Sequence, residues 1–215
     1  MLNLLPFLTK LSENLQSVNN KINKYLKKSN AKQIHDIRTS IRRLDATFST
    51  LPKKYRNGSS LSKYVLQCKE LFKINSEIRD FDIIIEKLQK YPPSGQGDNI
   101  IADLKKTRLA KLERAKTIAV PLKSIDTATI LDELGVTEKE LQKRFLKIVS
   151  RLISTIDSIY PVVLSNPQEL EKMHDLRIAC KKLRYMLELL PNNNKLAVQT
   201  RESLKKIQDN LGSIH

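Results

Sequence analysis

The sequence predicts an all-helical fold, on three observations. Apolar residues recur at three- and four-residue spacing along almost the whole chain, which is the pattern of helices with one buried face. No segment alternates with period two over a useful length, so no strand is expected. Glycine is scarce: the five in 215 residues fall between the helical patterns or at their ends, as helices require and a turn-rich β fold does not. With 40% hydrophobic and 29% charged residues, the chain has the make-up of a soluble globular protein able to bury a real core.

The elements follow in order. Leu4, Leu8, Leu11, Leu15, Val18, Ile22 and Leu26 step by three or four and predict a helix over about 3–28. Asn30 is placed to cap a second helix that runs to Leu51 and stops at Pro52 and the loop 53–60. A third pattern spans 61–90 and is broken by the stretch 92–97. A fourth covers 99–120 and closes near Pro121. Residues 124–136 read as a connector. Thr137 and Glu140 make a capping box for a fifth helix to about Ile159. Asn166, Pro167 and Glu169 offer a cap, a first-turn proline and a reciprocal acid for a sixth helix through Leu190. The last helix runs from about Lys195 to Asn210, where Gly212 terminates or bends it. The opening residues, interrupted by Asn3 and Pro6 and lacking a cationic start, read as neither signal peptide nor anchor, and the expected compartment is the cytoplasm. Cys68 and Cys180 sit inside helical patterns among apolar neighbours, as buried reduced thiols do.

Charge is the unusual quantity. Thirty-nine Lys and Arg against 23 Asp and Glu leave a formal +16, an excess that suits a nucleic acid, an acidic membrane or a phosphate polymer. Placement narrows this. Ile34-His35-Asp36-Ile37-Arg38 through Leu44 matches Met173-His174-Asp175-Leu176-Arg177 through Leu183, each reading His-Asp-apolar-Arg, three residues, two cations and Leu, at an offset of 139 residues. Each copy sits in the second helix of its run, so the chain reads as a duplication. Its halves are 1–123 and 137–215, joined by 124–136. A weaker echo pairs Ile78-Arg79 with Ile214-His215.

At about 100° per residue, His35, Arg38 and Arg42 fall within roughly 60° on one face. Ile37, Ile41, Leu44, Phe48 and Leu51 gather on another face, which must meet a core. His174, Arg177 and Lys181 repeat this against Leu176, Cys180, Leu183, Leu187 and Leu190. Arg43 and Lys182 flank the row, and Arg184 extends the second copy where the first has Asp45. A solvated surface explains a single such helix. Like charges at i and i+4 destabilise a bare helix, and doing so twice at the same offsets without interleaved acids makes sense when an anion fills the space. The fourth helix adds Lys105, Lys106, Arg108, Lys111, Arg114 and Lys116. Of these, Arg108 falls on an otherwise apolar arc, so that face borders a polar channel or lets the side chain snorkel to solvent.

With His-Asp-x-Arg-x-x-x-[Arg/Lys]-[Arg/Lys]-Leu present twice, the chain resembles the CHAD family, the histidine-containing α-helical domain. Ile78-Arg79-Asp80-Phe81-Asp82-Ile83 is similar to that family's element after the first signature helix, and Lys205-Lys206-Ile207-Gln208-Asp209-Asn210-Leu211-Gly212 to the stretch after the second. The resemblance covers nearly the whole chain. It implies two pseudo-symmetric four-helix bundles around a basic cavity, the second lacking its last helix, and a ligand of inorganic polyphosphate. Carried over residue by residue, the phosphate contacts are His35, Arg38, Arg42 and Arg43 with His174, Arg177, Lys181, Lys182 and Arg184. Arg79, Lys105 and Arg108 are further candidates. Such a ligand extends the expected location to polyphosphate granules.

The chemistry agrees: a string of closely spaced charges without bases calls for Arg forks and Lys point charges and needs no aromatic platform. Nonspecific binding of a nucleic-acid backbone is the runner-up, weakened by only 5% aromatic residues and no zinc-finger, Gly-rich or RNA-sheet signature. Catalysis is the third class. Asp80 and Asp82, two residues apart on a helix, diverge by roughly 160° and cannot chelate one ion together. Ion pairing or capping explains them better, so no enzyme, cofactor, metal or membrane partner is expected. The absent helix would leave an apolar groove along Leu141, Phe145, Ile148, Leu152, Leu196 and Leu204. Either a second copy closes it as a homodimer or the first helices repack over it.

Overall fold

The computed structural model describes residues 2–92, 95–123, 134–166 and 168–213, with Asp126, Thr129 and Leu131 of the connector. Among the described residues there are seven long helices, α1 (Leu4–Lys27), α2 (Ala31–Thr50), α4 (Ser60–Leu88), α5 (Gly95–Leu122), α6 (Glu138–Ser165), α7 (Leu170–Leu187) and α8 (Lys195–Ser213), with a four-residue turn of helix, α3 (Lys53–Arg56), in the loop expected after α2. Among the described residues there is no strand.

Local chemistry sets most boundaries. The Gln33 N–H donates to Asn30 Oδ1 at 3.1 Å, capping α2. Ser59 caps α4 through Ser62 N–H, just after Gly58, which takes a left-handed φ of 76°. Thr137 and Glu140 make the expected capping box. Asn194 Oδ1 accepts from Ala197 N–H at 3.0 Å to start α8.

Two expectations are corrected. Pro161 does not end α6, which continues to Ser165, because near a C-terminus one lost backbone bond is tolerated. Asn166 therefore closes α6 instead of opening α7, which starts at Leu170 behind Glu169 with no side-chain cap. The helix α8 runs through Gly212 to Ser213, the last described residue. Pro167, Ile214 and His215, and most of the connector, lie outside the described residues.

By its contacts the chain divides into two compact units. The first comprises Ser12–Asp45 and Asn57–Glu133; the second comprises Met1–Leu11, Ala46–Arg56 and Leu134–His215. In the first, Ser17 meets Ser40, and Lys21 pairs with Asp36 at 3.1 Å, so α1 and α2 run antiparallel. Tyr64 O–H donates to Asn19 at 2.7 Å and Tyr25 O–H to Asn75 at 3.0 Å, tying α4 alongside α1. Lys111–Glu77 and Arg108–Asp82 pair α5 antiparallel to α4. The result is an up-down-up-down bundle.

In the second unit α6 packs on α7 and α7 on α8. Met173, Leu176, Cys180, Leu183 and Leu187 of α7 and Leu204 and Leu211 of α8 form its core, with Val149, Leu152, Ile156, Ile159 and Val163 of α6 packed against them. By length and composition alone α6 could cross a membrane. Here one side of it faces this core, while Arg151 and Asp157 stand exposed. The expected groove is partly filled from the same chain. Leu141 and Phe145 are buried, the Leu4 N–H donates to Glu138, and Gln142 Nε2 donates to Leu2 O at 3.0 Å. Contacts of this kind assign residues 1–11 and 46–56 to the unit of α6–α8. Leu146, Ile153, Tyr160 and Leu164 of α6 remain exposed along a different line.

Tyr25→Phe strands the carbonyl of the fully buried Asn75 and is expected to cost about 1–3 kcal/mol in denaturant unfolding. The thiol of Cys68, pushed up to about 12 by burial against a smaller opposing effect of the Tyr64 hydroxyl, is expected to ignore an aqueous thiol reagent until the chain unfolds.

Candidate functional site

The repeated helices behave alike in burial. Ile34, Ile37, Ile41 and Leu44 of α2 are buried, as are Met173, Leu176, Cys180 and Leu183 of α7. His35 and His174 are exposed, Arg38 and Arg177 half-buried, Arg42 and Lys181 half-buried, and Arg43 and Lys182 exposed. Each helix thus sinks one face into its own unit's core and holds a graded row of cations at the core's edge.

In the first unit, Phe72 of α4 lies under two of these cations. The Arg38 guanidinium carbon is 5.5 Å and that of Arg42 4.9 Å from the ring centroid. Burial, then repulsion from Arg42 and Arg79 against the pull of Asp80, holds Arg38 below the usual arginine range. Arg38, Arg42 and Arg79 therefore belong to one cluster. The Nε of Arg38 is buried with no hydrogen-bond partner. Asp36, of the His-Asp motif, ties α2 to Lys21, and Asp45 pairs with Lys69 at 2.6 Å, so both acids of α2 face cations outside the row.

Lys105 and Arg108 stand elsewhere. They line a pocket of about 460 Å³ between α4 and α5 with Asp82, Glu86 and Gln89. Arg108 Nε is 2.5 Å from Asp82 Oδ1, both side chains about four-fifths buried. The arginine on the apolar arc is thus neither in a dry core nor snorkelling to solvent; an acid 26 residues away compensates it. Two acids balance two cations in that pocket, unlike the row on α2.

In the second unit Arg184 stacks over Tyr185 at 5.0 Å, and the Nε atoms of Arg177 and Arg184 are both buried without hydrogen-bond partners. Arg177 rests on α8 at Gly212. A Cβ built there would stand 3.4 Å from Nη2, 3.7 Å from Nε and 3.8 Å from Cζ, so the guanidinium lies against bare backbone. Phe72 and Gly212 escaped sequence reasoning. The sequence shows a Phe and a Gly at helical spacing, but which cation lies over them depends on the packing of one helix on another.

Among the described residues no three His, Cys, Asp or Glu side chains are grouped to hold a metal ion. What these geometries offer instead is unpaired N–H donors on fixed cations, the groups an anion's oxygens accept from.

The family model described as CHAD domain matches residues 10–215. The crystal structure of the CHAD domain from the plant Ricinus communis superimposes with a TM-score of 0.65 at 16% identity, over 97% of this chain and 73% of that one, a likeness of fold. Among curated proteins none matches.

Removing a cation whose buried Nε has no hydrogen-bond partner should cost little. Arg38→Met and Arg177→Met are expected to leave ligand-free thermal stability unchanged or slightly raised. Arg108→Met, which abandons Asp82, is expected to lose about 1–3 kcal/mol in denaturant unfolding.

Proposed function

The chain belongs to the CHAD family, and we propose that it is a non-catalytic binder of inorganic polyphosphate, gripped by the His, Arg and Lys side chains of α2 and α7. One observation carries this reading. Arg38 and Arg177 occupy the same position in the two repeats, and each holds a buried Nε hydrogen with no acceptor. A buried donor left unpaired costs stability, and two at matched positions have a common cause when an anion supplies the acceptors. The exposed neighbours His35, Arg43, His174 and Lys182 extend each grip toward solvent, where a flexible polymer can be followed from phosphate to phosphate. Phosphate oxygens would also relieve the mutual repulsion of Arg38, Arg42 and Arg79. The expected place of work is the cytoplasm, at polyphosphate granules.

A homodimer is a further part of the proposal, through a different face of α6 from the groove along Leu141 and Phe145 that first suggested one. Leu146, Ile153, Tyr160 and Leu164 mark the exposed side of α6 that a second copy would cover, and a monomer of 24.7 kDa in light scattering of ligand-free protein at micromolar concentration removes this part of it.

Binding of labelled polyphosphate is expected to weaken steeply with salt, because many counterions are released at once. Arg38, Arg42, Arg177 and Lys181 changed together to Glu are expected to abolish binding with helicity retained. Four reversals at the exposed Lys24, Lys27, Lys28 and Lys63, equal in charge, should cost far less. Equal losses would mean that only net charge matters, and RNA that displaces polyphosphate at fixed ionic strength would favour a nucleic-acid ligand.

A further inference from the structure

Gln208 of α8 is only 6% exposed, and its Nε2 has no hydrogen-bond partner. A glutamine that merely filled a core would be expected to spend its amide on a neighbour, and apolar residues fill such places at lower cost. Its position gives it another use. Gln208 lies one turn before Gly212, on the same face of α8, and Gly212 is where Arg177 rests. The helices α7 and α8 run antiparallel, since Arg201 reaches Asn192 near their connecting turn while Gly212 meets Arg177 at the far end. Four residues back along α8 from Gly212 is about 6 Å, and seven residues forward along α7 from Arg177 to Arg184 is about 10 Å. Gln208 therefore falls between the levels of Arg177 and Arg184, near that of Lys181. Both arginines, like Gln208, carry a buried N–H without an acceptor.

We infer that Gln208 is a ligand-binding residue, its amide donating to a phosphate oxygen held between Arg177 and Arg184. The inference rests on the polyphosphate reading and adds to it a neutral donor at the centre of the α7–α8 grip. An amide is suited to this place. A further cation so deeply buried beside Arg177, Lys181 and Arg184 would suffer both desolvation and repulsion, whereas an amide donates without charge. The duplication sharpens the point. At the offset that pairs Ile78-Arg79 with Ile214-His215, the counterpart of Gln208 is Phe72, which lies under Arg38 and Arg42. One repeat steadies its arginines on a ring, and the other fills the same position with a hydrogen-bond donor.

The test compares wild type with Gln208→Met, close in shape but without the donor, and Gln208→Glu, close in shape but an acceptor. Long-chain inorganic polyphosphate is titrated over a range of salt, and thermal unfolding is followed with and without it. Gln208→Met is expected to unfold at the wild-type temperature or higher without ligand and to bind about tenfold more weakly. Its salt dependence should keep the wild-type slope, because no charge has been removed, whereas Arg177→Met should flatten that slope. Gln208→Glu should bind more weakly still. Wild-type affinity in Gln208→Met, or a fall in its ligand-free stability that accounts for the weaker binding, overturns the inference and leaves the polyphosphate reading standing. A wild-type protein that retains no polyphosphate overturns both.

Discussion

Everything at the site depends on cations held at the edge of an apolar core. The helices α2 and α7 each supply a central face of their unit's core, and 3.6-residue periodicity places Arg38 and Arg177 just beside that face. A guanidinium there is half out of water, so its unmet donors are costly and its repulsion from neighbours is poorly screened. The helix cannot move these charges into solvent without lifting its leucines and isoleucines from the core. Burial of the apolar face therefore fixes the cations in a state that an anion would improve.

The protein treats its buried cations in three ways, according to what the facing helix offers. Arg108 meets Asp82 and is compensated. Arg38 and Arg42 meet the ring of Phe72, which attracts positive charge through its face but accepts no hydrogen bond of ordinary strength. Arg177 meets the bare backbone of α8 at Gly212, which gives room and nothing else. The last two arrangements restrict the guanidinium without consuming its donors. That is the difference between a cation already paired and one whose donors stay open, and it cannot be read from exposure alone, because all four arginines are half-buried.

The two units also differ in how they finish their cores. The first closes α1, α2, α4 and α5 against each other, with buried polar ties at Tyr25–Asn75 and Tyr64–Asn19. The second ties the start of the chain to the N-terminal end of α6, where Leu141 and Phe145 are buried, and leaves an exposed apolar line farther along the same helix. Apolar burial dictates both outcomes: the N-terminal end of α6 found a cover in this chain, and the rest of that helix presents its outer side to solvent.

Helical periodicity, caps and the repeat are local or pairwise properties of sequence. They determined the all-helical class, the buried faces of α2 and α7, the caps at Asn30 and Thr137 and the family, because a helix's own spacing decides which residues share a side. Pro161 and Asn166 misled because a proline near a helix end costs one bond, which the packing of α6 on α7 outweighs. The register of one helix against another decided the rest. Nothing near Arg108 in sequence announces Asp82, nothing near Arg38 announces Phe72, and nothing near Arg177 announces Gly212. Charge compensation and close approach are set by side chains tens of residues apart. The sequence therefore determined where the cations lie, and only the tertiary structure decided which of them are already satisfied.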